Sequence, residues 1–298
     1  MTAGEAVTLG LIAPAMVTAG ESFEVNGVAF DAYKNIAAFD GAATLEADSA
    51  NAFIPPEGSF SDGQWSLANV ALAVTGDTVL TLSAGGLSAQ ATVQVVSGPV
   101  GSVRVELPAT VRAGDATTVV VSVRDASGNL IQDFTGTVAL SVDDPRANLP
   151  SSVTFGPQSG GSRELSVVFG TLGVRTVAAT LDGFSDDAAT TVTVGAPHHI
   201  VLTDDGAATT GVPHAVTVTV VDAFDHPLDT PASAYTGTVT FSLAGSTPDL
   251  APTLPGPTTF TAADLGERIE DRDAHHLGHA GRGLADDAQA DRVRRTRQ

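Results

Sequence analysis

The stretch Val-Arg-Asp-Ala-Ser-Gly-Asn, from Val123 to Asn129, decides the fold because it recurs along the chain. It returns as Val-Val-Asp-Ala-Phe-Asp-His, from Val220 to His226, and more loosely as Ala-Phe-Asp-Ala-Tyr-Lys-Asn, from Ala29 to Asn35. The aspartates that the three copies share are 94 and 97 residues apart: Asp31, Asp125 and Asp222. Self-similarity at such a fixed step is typical of a tandem array of similar modules.

Two further blocks recur in the same order and at nearly the same step. Phe-Thr-Gly-Thr-Val, starting at Phe134, returns as Tyr-Thr-Gly-Thr-Val from Tyr235, with Phe-Asp-Gly-Ala-Ala from Phe39 in the first copy. The third block pairs Ala-Asn-Leu-Pro from Ala147 with Ala-Pro-Thr-Leu-Pro from Ala251, each ahead of a Thr-Phe pair. The first copy has Ala-Phe-Ile-Pro-Pro from Ala52, followed by Gly-Ser-Phe, which ends at Phe60. Three ordered blocks predict three modules of about 95 residues.

The second module reads as β-structure throughout. Short alternating or β-branched runs are separated by Gly, Pro and Asp, which is the pattern of a β-sandwich with about seven strands. The predicted strands are Val103–Leu107, Thr117–Arg124, Thr137–Val142, Val153–Phe155, Leu165–Phe169, Val174–Leu181 and Thr190–Val194. We therefore predict an all-β chain of tandem Ig-like sandwiches: a divergent module 1 (residues 1–98), module 2 (99–196), an incomplete module 3 (197–266) and a tail (267–298).

The motifs resemble a known group of repeats. The turn at Asp125, the Phe/Tyr-Thr-Gly-Thr-Val strand and the Asp-Pro-x-Ala-x-Leu-Pro stretch from Asp144 are similar to bacterial Ig-like repeats of the invasin/intimin and large-adhesin type. The resemblance covers residues 1 to about 266. It implies a stalk or spacer in a bacterial surface protein. In that group some modules also bind host receptors or glycans, and some bind Ca²⁺ between modules.

Composition narrows the classes of partner. The chain has 34 acidic and 14 basic residues, a formal net charge of −20, and no cysteine. Such a charge disfavours nucleic acid and anionic membrane surfaces, and the lack of cysteine excludes disulfides and Cys-ligated metals. No run approaches the length of a membrane span, and the first residues, Met-Thr-Ala-Gly-Glu-Ala, lack the pattern of a signal peptide. We expect either a cytoplasmic chain or a fragment of a longer extracellular protein.

The tail departs from the repeat. After Gly266 the chain reads Glu-Arg-Ile-Glu-Asp-Arg-Asp-Ala-His-His, where module 2 continues with alternating Leu165, Val167 and Phe169. One interpretation is a short charged helix or a disordered segment. The other is an out-of-frame translation, because the Asp and His codons of a GC-rich gene become Thr codons when they are read one nucleotide later. From Ile269 onward that frame gives Thr at alternate positions, as a strand needs.

The tail also contains a possible metal-binding group. Two of its histidines are four residues apart, as zinc ligands on one helix face would be, but the Glu of the metalloprotease motif is missing. The residues concerned are Asp271, Asp273, His275, His276 and His279. We therefore predict no metal site here.

Paired carboxylates in turns are candidate calcium ligands. Ca²⁺ needs six to eight oxygen atoms, and loops that meet between modules are one way to supply them. The pairs are Asp143-Asp144, Asp186-Asp187 and Asp204-Asp205. No EF-hand-type loop organises them, so solvated turn residues are expected, with Ca²⁺ at the acidic turns between modules left as an alternative.

No catalytic constellation is visible. The four histidines before the tail are His198, His199, His214 and His226, and they occupy positions that the other modules do not share. The single tryptophan, Trp65, is expected to pack inside module 1. We predict no catalytic, cofactor-binding or metal-binding residue and no enzyme activity.

The predicted function is a non-catalytic stalk, spacer or adhesive segment of a bacterial cell-surface or secreted protein. Its partner would be a host or cell-surface protein or a glycan, without insertion into a membrane, and the oligomeric state is left open. The alternatives are a carbohydrate- or receptor-binding module, for which exposed aromatics on one sheet face are expected, and an accessory region of an extracellular hydrolase.

Overall fold

The computed structural model describes residues 4–204, 206–207, 212, 214–242, 254–272 and 294–295. Module 1 contains β1 (Thr8–Ile12), β2 (Met16–Thr18), β3 (Ser22–Phe30), β4 (Gly41–Ala47), β5 (Ser59–Phe60), β6 (Gln64–Ala71), β7 (Gly76–Ala84) and β8 (Leu87–Val96). Module 2 contains β9 (Val100–Glu106), β10 (Thr110–Arg112), β11 (Ala116–Asp125), β12 (Gly136–Val142), β13 (Ser152–Phe155), β14 (Ser162–Val168), β15 (Gly173–Leu181) and β16 (Phe184–Thr193). Module 3 contains β17 (His199–Asp204), β18 (His214–Val221), β19 (Thr238–Thr240), β20 (Thr258–Thr259), a 3-10 turn (Ala262–Asp264), β21 (Glu267–Arg272) and β22 (Arg294–Arg295).

Modules 1 and 2 have the same topology, a three-stranded sheet and a five-stranded sheet. In module 1 the orders are β1-β3-β6 and β2-β8-β7-β4-β5, and in module 2 they are β9-β11-β14 and β10-β16-β15-β12-β13. The all-β tandem Ig-like fold is confirmed. Each of these modules has eight strands, one more than predicted, because β2 and β10 pair in parallel with the last strand and are too short to show alternation.

Tight turns set the register of the longest hairpins. The β7–β8 hairpin turns through Gly85 and Gly86, and the β15–β16 hairpin turns through Asp182 and Gly183, all with positive φ. Two consecutive positive φ values match the right-handed twist of the flanking strands. The turns therefore fix which residues pair across these two hairpins of the five-stranded sheets.

The second and third repeated blocks build the cores. In every module the aromatic residue of the second block meets the Phe of the third edge-on, with ring centroids 5.3 to 5.7 Å apart. The pairs are Phe39–Phe60, Phe134–Phe155 and Tyr235–Phe260. Each module has its own cluster of buried apolar residues around its pair. These blocks recur because the core of the sandwich needs them.

The first residues of the tail form a strand. Glu267–Arg272 (β21) pairs antiparallel with β18, as β14 pairs with β11 in module 2. These residues therefore belong to a sheet of module 3, and the helix considered for the tail is not formed there. Backbone pairing tolerates a charged sequence because the ladder bonds come from N–H and C=O groups. The module boundaries given in the sequence analysis stay a prediction.

The order of polar and apolar residues along β21 is opposite to that along β14. By register, Glu270 and Arg272 take the positions of Leu165 and Val167, which lie on the core side of module 2. Ile269 is instead 68% exposed.

Candidate functional site

The first repeated block forms the same turn in all three modules, which we call the aspartate turn: Asp31–Asn35, Asp125–Asn129 and Asp222–His226. One oxygen of the aspartate, Oδ1, accepts the N–H groups two and four residues later, at 2.8 to 3.0 Å. The fourth residue has positive φ in each case: Lys34 (65°), Gly128 (88°) and Asp225 (67°). The three turns therefore present equivalent residues in the same way.

The second oxygen of each aspartate holds the segment that enters the module. Oδ2 accepts the N–H of a glycine 27 residues earlier, at distances of 2.9 to 3.2 Å. The glycines are Gly4, Gly98 and Gly195. Since the three aspartates are at most 4% exposed, these hydrogen bonds replace water and fix the linker against the turn.

At the first junction, the turn of module 2 reaches module 1 through Asn129. The Asn129 Nδ2 donates to Ala73 O at 2.7 Å, and Thr75 N donates to Asn129 Oδ1 at 3.3 Å. The same Nδ2 also contacts both oxygens of Asp125. One side chain therefore joins the aspartate to the preceding module.

At the second junction, the turn of module 3 inserts an aromatic ring. Phe224 packs against the core of module 2, and its Cε1 would be 2.5 Å from a Cβ on Gly170. On its other side it lies 3.7 Å from the corresponding point of Gly114. Arg146 Nη1 donates to Phe224 O at 2.8 Å. We call Gly114, Arg146 and Gly170 the socket of module 2.

Asp144 holds the residues of this socket in place through hydrogen bonds. Its Oδ2 accepts the N–H groups of Gly170 and Thr171, and its Oδ1 accepts Arg146 N and Thr171 Oγ1, at 2.6 to 3.0 Å. The carboxylate is 2% exposed. It therefore fixes the loop with the glycine and the start of the arginine side chain in one arrangement.

The buried aspartates are held in their charged form. Burial alone would raise the pKa of Asp125, but hydrogen bonds from Asn129, Gly98 and Ser127 together lower it below its ordinary value of 3.8. For Asp222, too, burial is outweighed, by N–H donors led by that of Gly195, and its pKa is lowered. Donors to a carboxylate stabilise its charge.

The carboxylate pairs proposed as calcium ligands are largely engaged within the protein. Asp143 Oδ1 accepts Thr176 N at 2.8 Å, and Asp186 Oδ2 accepts Val105 N at 2.8 Å. Asp204 Oδ2 lies 3.8 Å from His214 Nε2. Over the part of the chain that the structure describes, no three His, Asp or Glu side chains are grouped closely enough to hold a metal ion. The described residues do not include Asp205, Asp273, His275, His276 or His279. The side chain of Asp271 is not described either.

The remaining histidines and the tryptophan contact neighbouring residues of the fold. His226 Nδ1 lies 2.9 Å from Asp222 Oδ2, inside the turn. His198 and His199 face each other with their Nδ1 atoms 3.1 Å apart, and the Nε2 of His199 lies 2.9 Å from an oxygen of Asp225. Trp65 is 4% exposed and lies in the core of module 1, as predicted.

The role of the aspartate turn at the junctions could not be predicted from the local sequence. The bond that matters spans 27 residues and ends on a backbone N–H, which no local motif reveals. A signal was nevertheless present. A glycine stands 27 residues before the aspartate in all three modules.

No family model matches the chain, and no curated protein is similar to it in sequence. Among solved structures, the Escherichia coli adhesin FdeC is similar over 92% of this chain and 90% of its own, with 22% identity and a TM-score of 0.50. Invasin, a bacterial integrin-binding protein, matches over 85% of this chain and 54% of its own, with 16% identity and a TM-score of 0.35. A glycosyl hydrolase family 2 member from Bacteroides cellulosilyticus matches over 59% of this chain and 23% of its own, with 16% identity and a TM-score of 0.31.

Of these three structures, only FdeC has a TM-score high enough for its fold to be compared with that of this chain. At 22% identity it shows a likeness of fold alone. The residues that the structure describes contain no helix long and apolar enough to cross a membrane. The chain has the tandem Ig-like fold of the bacterial adhesin FdeC.

Proposed function

We propose that the chain is a non-catalytic stalk or adhesive segment of a bacterial cell-surface or secreted protein. The observation that carries the proposal is the pair of junctions. At each one, the aspartate turn of one module binds the end of the module before it through specific side-chain contacts. Such contacts hold modules in series, which is what a spacer must do. The adhesin FdeC, which has the same fold, supports the same assignment.

The surface agrees with a spacer role. A net charge of −20 repels other acidic chains and favours solubility. A shallow cleft of about 580 Å³ beside β10 is lined by Pro108, Arg112 and Asp115 among others, and has no histidine or serine and no second carboxylate in its lining. General acid–base or nucleophilic chemistry needs such groups within hydrogen-bonding reach of each other.

A carbohydrate-binding role would favour aromatic side chains aligned on a sheet. Tyr33 and Phe53 are 87% and 60% exposed, but both lie outside the strands of module 1. A partner among host or cell-surface proteins or glycans therefore remains secondary to the spacer role in this proposal.

Small-angle X-ray scattering of the chain tests the proposal. The longer strands have about ten residues, or about 33 Å each, so modules in series should give a maximum dimension near 100 Å. A compact globule of this length would be about 50 Å across. A value near 50 Å, or specific binding on a glycan array by the isolated chain, would count against a spacer.

A further inference from the structure

We propose that the aspartate turn of module 1 is a docking surface for the loop end of a preceding Ig-like module, with Tyr33 as the inserted side chain. The inference extends the proposed function, since it names the partner that a further junction would have. It rests on the equivalence of three turns, two of which already make such a contact.

The turn of module 1 has the geometry of the two turns that are docked. Tyr33 N donates to Asp31 Oδ1 at 2.9 Å, as Ser127 N donates to Asp125 and Phe224 N to Asp222. The entering glycine is also held, because Gly4 N donates to Asp31 Oδ2 at 3.2 Å. Tyr33 therefore occupies the position of Ser127 and Phe224.

What differs is that the turn of module 1 is uncovered. Tyr33 is 87% exposed, Ile36 is 45% exposed, and Asn35 is also exposed. The equivalent of Asn35 in module 2, Asn129, is half-buried against module 1. A single exposed apolar side chain is common on proteins. This one is distinctive because it stands where Phe224 enters a socket.

The size of the side chain selects the kind of socket. Ser127 is small, and the module before it has Ala73 at the position of Gly170. Phe224 is large, and a Cβ on Gly170 would collide with its ring. Tyr33 is as large as Phe224. The partner is therefore a module whose socket has glycine at both positions, as module 2 has at Gly114 and Gly170.

Two fusions provide the test. In the first, residues 97–194, which include all the strands of module 2, are joined directly to Gly4 of the full chain, so that Gly4 takes the place of Gly195. In the matched control, residues 4–97, which include all the strands of module 1, are joined to the same point, where Gly4 takes the place of Gly98. The readout is the rate of Tyr33 nitration by tetranitromethane, measured by peptide mass spectrometry.

We expect the module 2 fusion to slow nitration of Tyr33 roughly tenfold relative to the unfused chain, as a docked state populated about 90% of the time would. The module 1 fusion should leave the rate nearly unchanged, because Ala73 blocks the ring. Gly170→Ala in the added module should restore the rate. Trp65 fluorescence and the melting of each fusion check that the modules are folded.

Two results would overturn the docking proposal. One is a Tyr33 that reacts equally fast in the unfused chain and in the module 2 fusion. The other is a glycan that protects Tyr33 in the unfused chain, which would make it a ligand-binding residue. Neither result would decide the spacer proposal. Small-angle X-ray scattering tests that proposal separately, because it concerns the two junctions within the chain.

Discussion

Phe224 and Gly170 are matched across the boundary between modules 2 and 3: the ring of one occupies the space that a Cβ on the other would need. The φ of Gly170 is not in the left-handed region, so its backbone does not require glycine. The glycine is needed for close approach alone. This makes the contact between modules a property of two residues that can be changed one at a time.

Gly170→Ala should weaken the second junction. The added methyl group would overlap Phe224 and Arg146, and overpacking of this kind costs about 1–3 kcal/mol. Calorimetric unfolding should show a lower melting temperature, and scattering should show a broader range of module arrangements. Gly156→Ala is the matched control in module 2, because a Cβ there would meet nothing within 4 Å. Equal effects of the two substitutions would contradict the role of Gly170.

Asn129→Ala should uncouple the first junction. It removes the bonds to Ala73 and Thr75 and leaves these half-buried backbone groups without their partner, at a cost of about 1–3 kcal/mol. Trp65 is the only tryptophan and lies in module 1, so its fluorescence follows the unfolding of that module. Since the substitution is in module 2, a lower urea midpoint by Trp65 fluorescence measures coupling between modules.

The control for that experiment is Asn148→Ala, also in module 2. The Asn148 side chain accepts Val168 N at 2.7 Å, a contact within its own module. Its loss should destabilise module 2 and leave the Trp65 transition where it is. If Asn129→Ala also leaves that transition unchanged, the two modules are not energetically coupled through this residue.

The junctions should weaken in acid. Because the pKa of Asp125 is lowered in the folded chain, its contribution to stability is complete above the ordinary value of 3.8 and is lost as the pH falls through 3.8 towards the folded value. The difference in unfolding free energy between the native chain and Asp125→Asn should therefore be larger at pH 7 than at pH 3. Urea unfolding at both pH values measures it. Asp133→Asn, at an exposed aspartate of the same module, is the control, and a difference that does not narrow in acid would contradict the assignment.

Added Ca²⁺ should not stabilise the junctions. Both oxygens of Asp125, Asp144 and Asp222 already accept hydrogen bonds from the protein. An ion would have to displace several of these donors to gather six to eight oxygens. We expect the melting temperature in millimolar Ca²⁺ to equal that in a chelator. A rise that Asp144→Asn abolishes would restore the calcium alternative.

The aromatic pairs of the core could be predicted because their positions repeat in all three modules. Phe134 and Phe155 stand in blocks that recur, and alternation places their neighbours on one face. The junctions could not be predicted in the same way. The contacts of Ser127 and Phe224 depend on small residues at the end of the preceding module, such as Ala73 and Gly170. These residues are distant from the turns in the sequence, so a local motif does not reveal the contacts.

The order of polar and apolar residues in β21, at the start of the tail, is relevant to the reading frame of the tail. By register, Glu270 and Arg272 stand where module 2 has Leu165 and Val167, while Ile269 is exposed where module 2 has Glu164. An apolar residue that faces solvent contributes no burial to the core of the sandwich. This favours the proposal that the tail is an out-of-frame translation of a continuing third module. The coding DNA decides it, because the frame one nucleotide later should remain open after codon 268 and resemble Leu165 to Leu181.

The same idea can be tested on the protein. Glu270→Leu combined with Arg272→Val restores the residue types of β14 at both core-side positions, and burying two such side chains contributes about 1.5–3 kcal/mol each. We therefore expect module 3 to become more stable, with slower hydrogen exchange at the amides of β18, which pairs with β21. Asp271→Thr, at the residue between them in sequence, is the control and should change exchange little. If the double variant exchanges as fast as the original chain, the charged residues do not oppose the folding of module 3, and the structural case for a shifted frame fails.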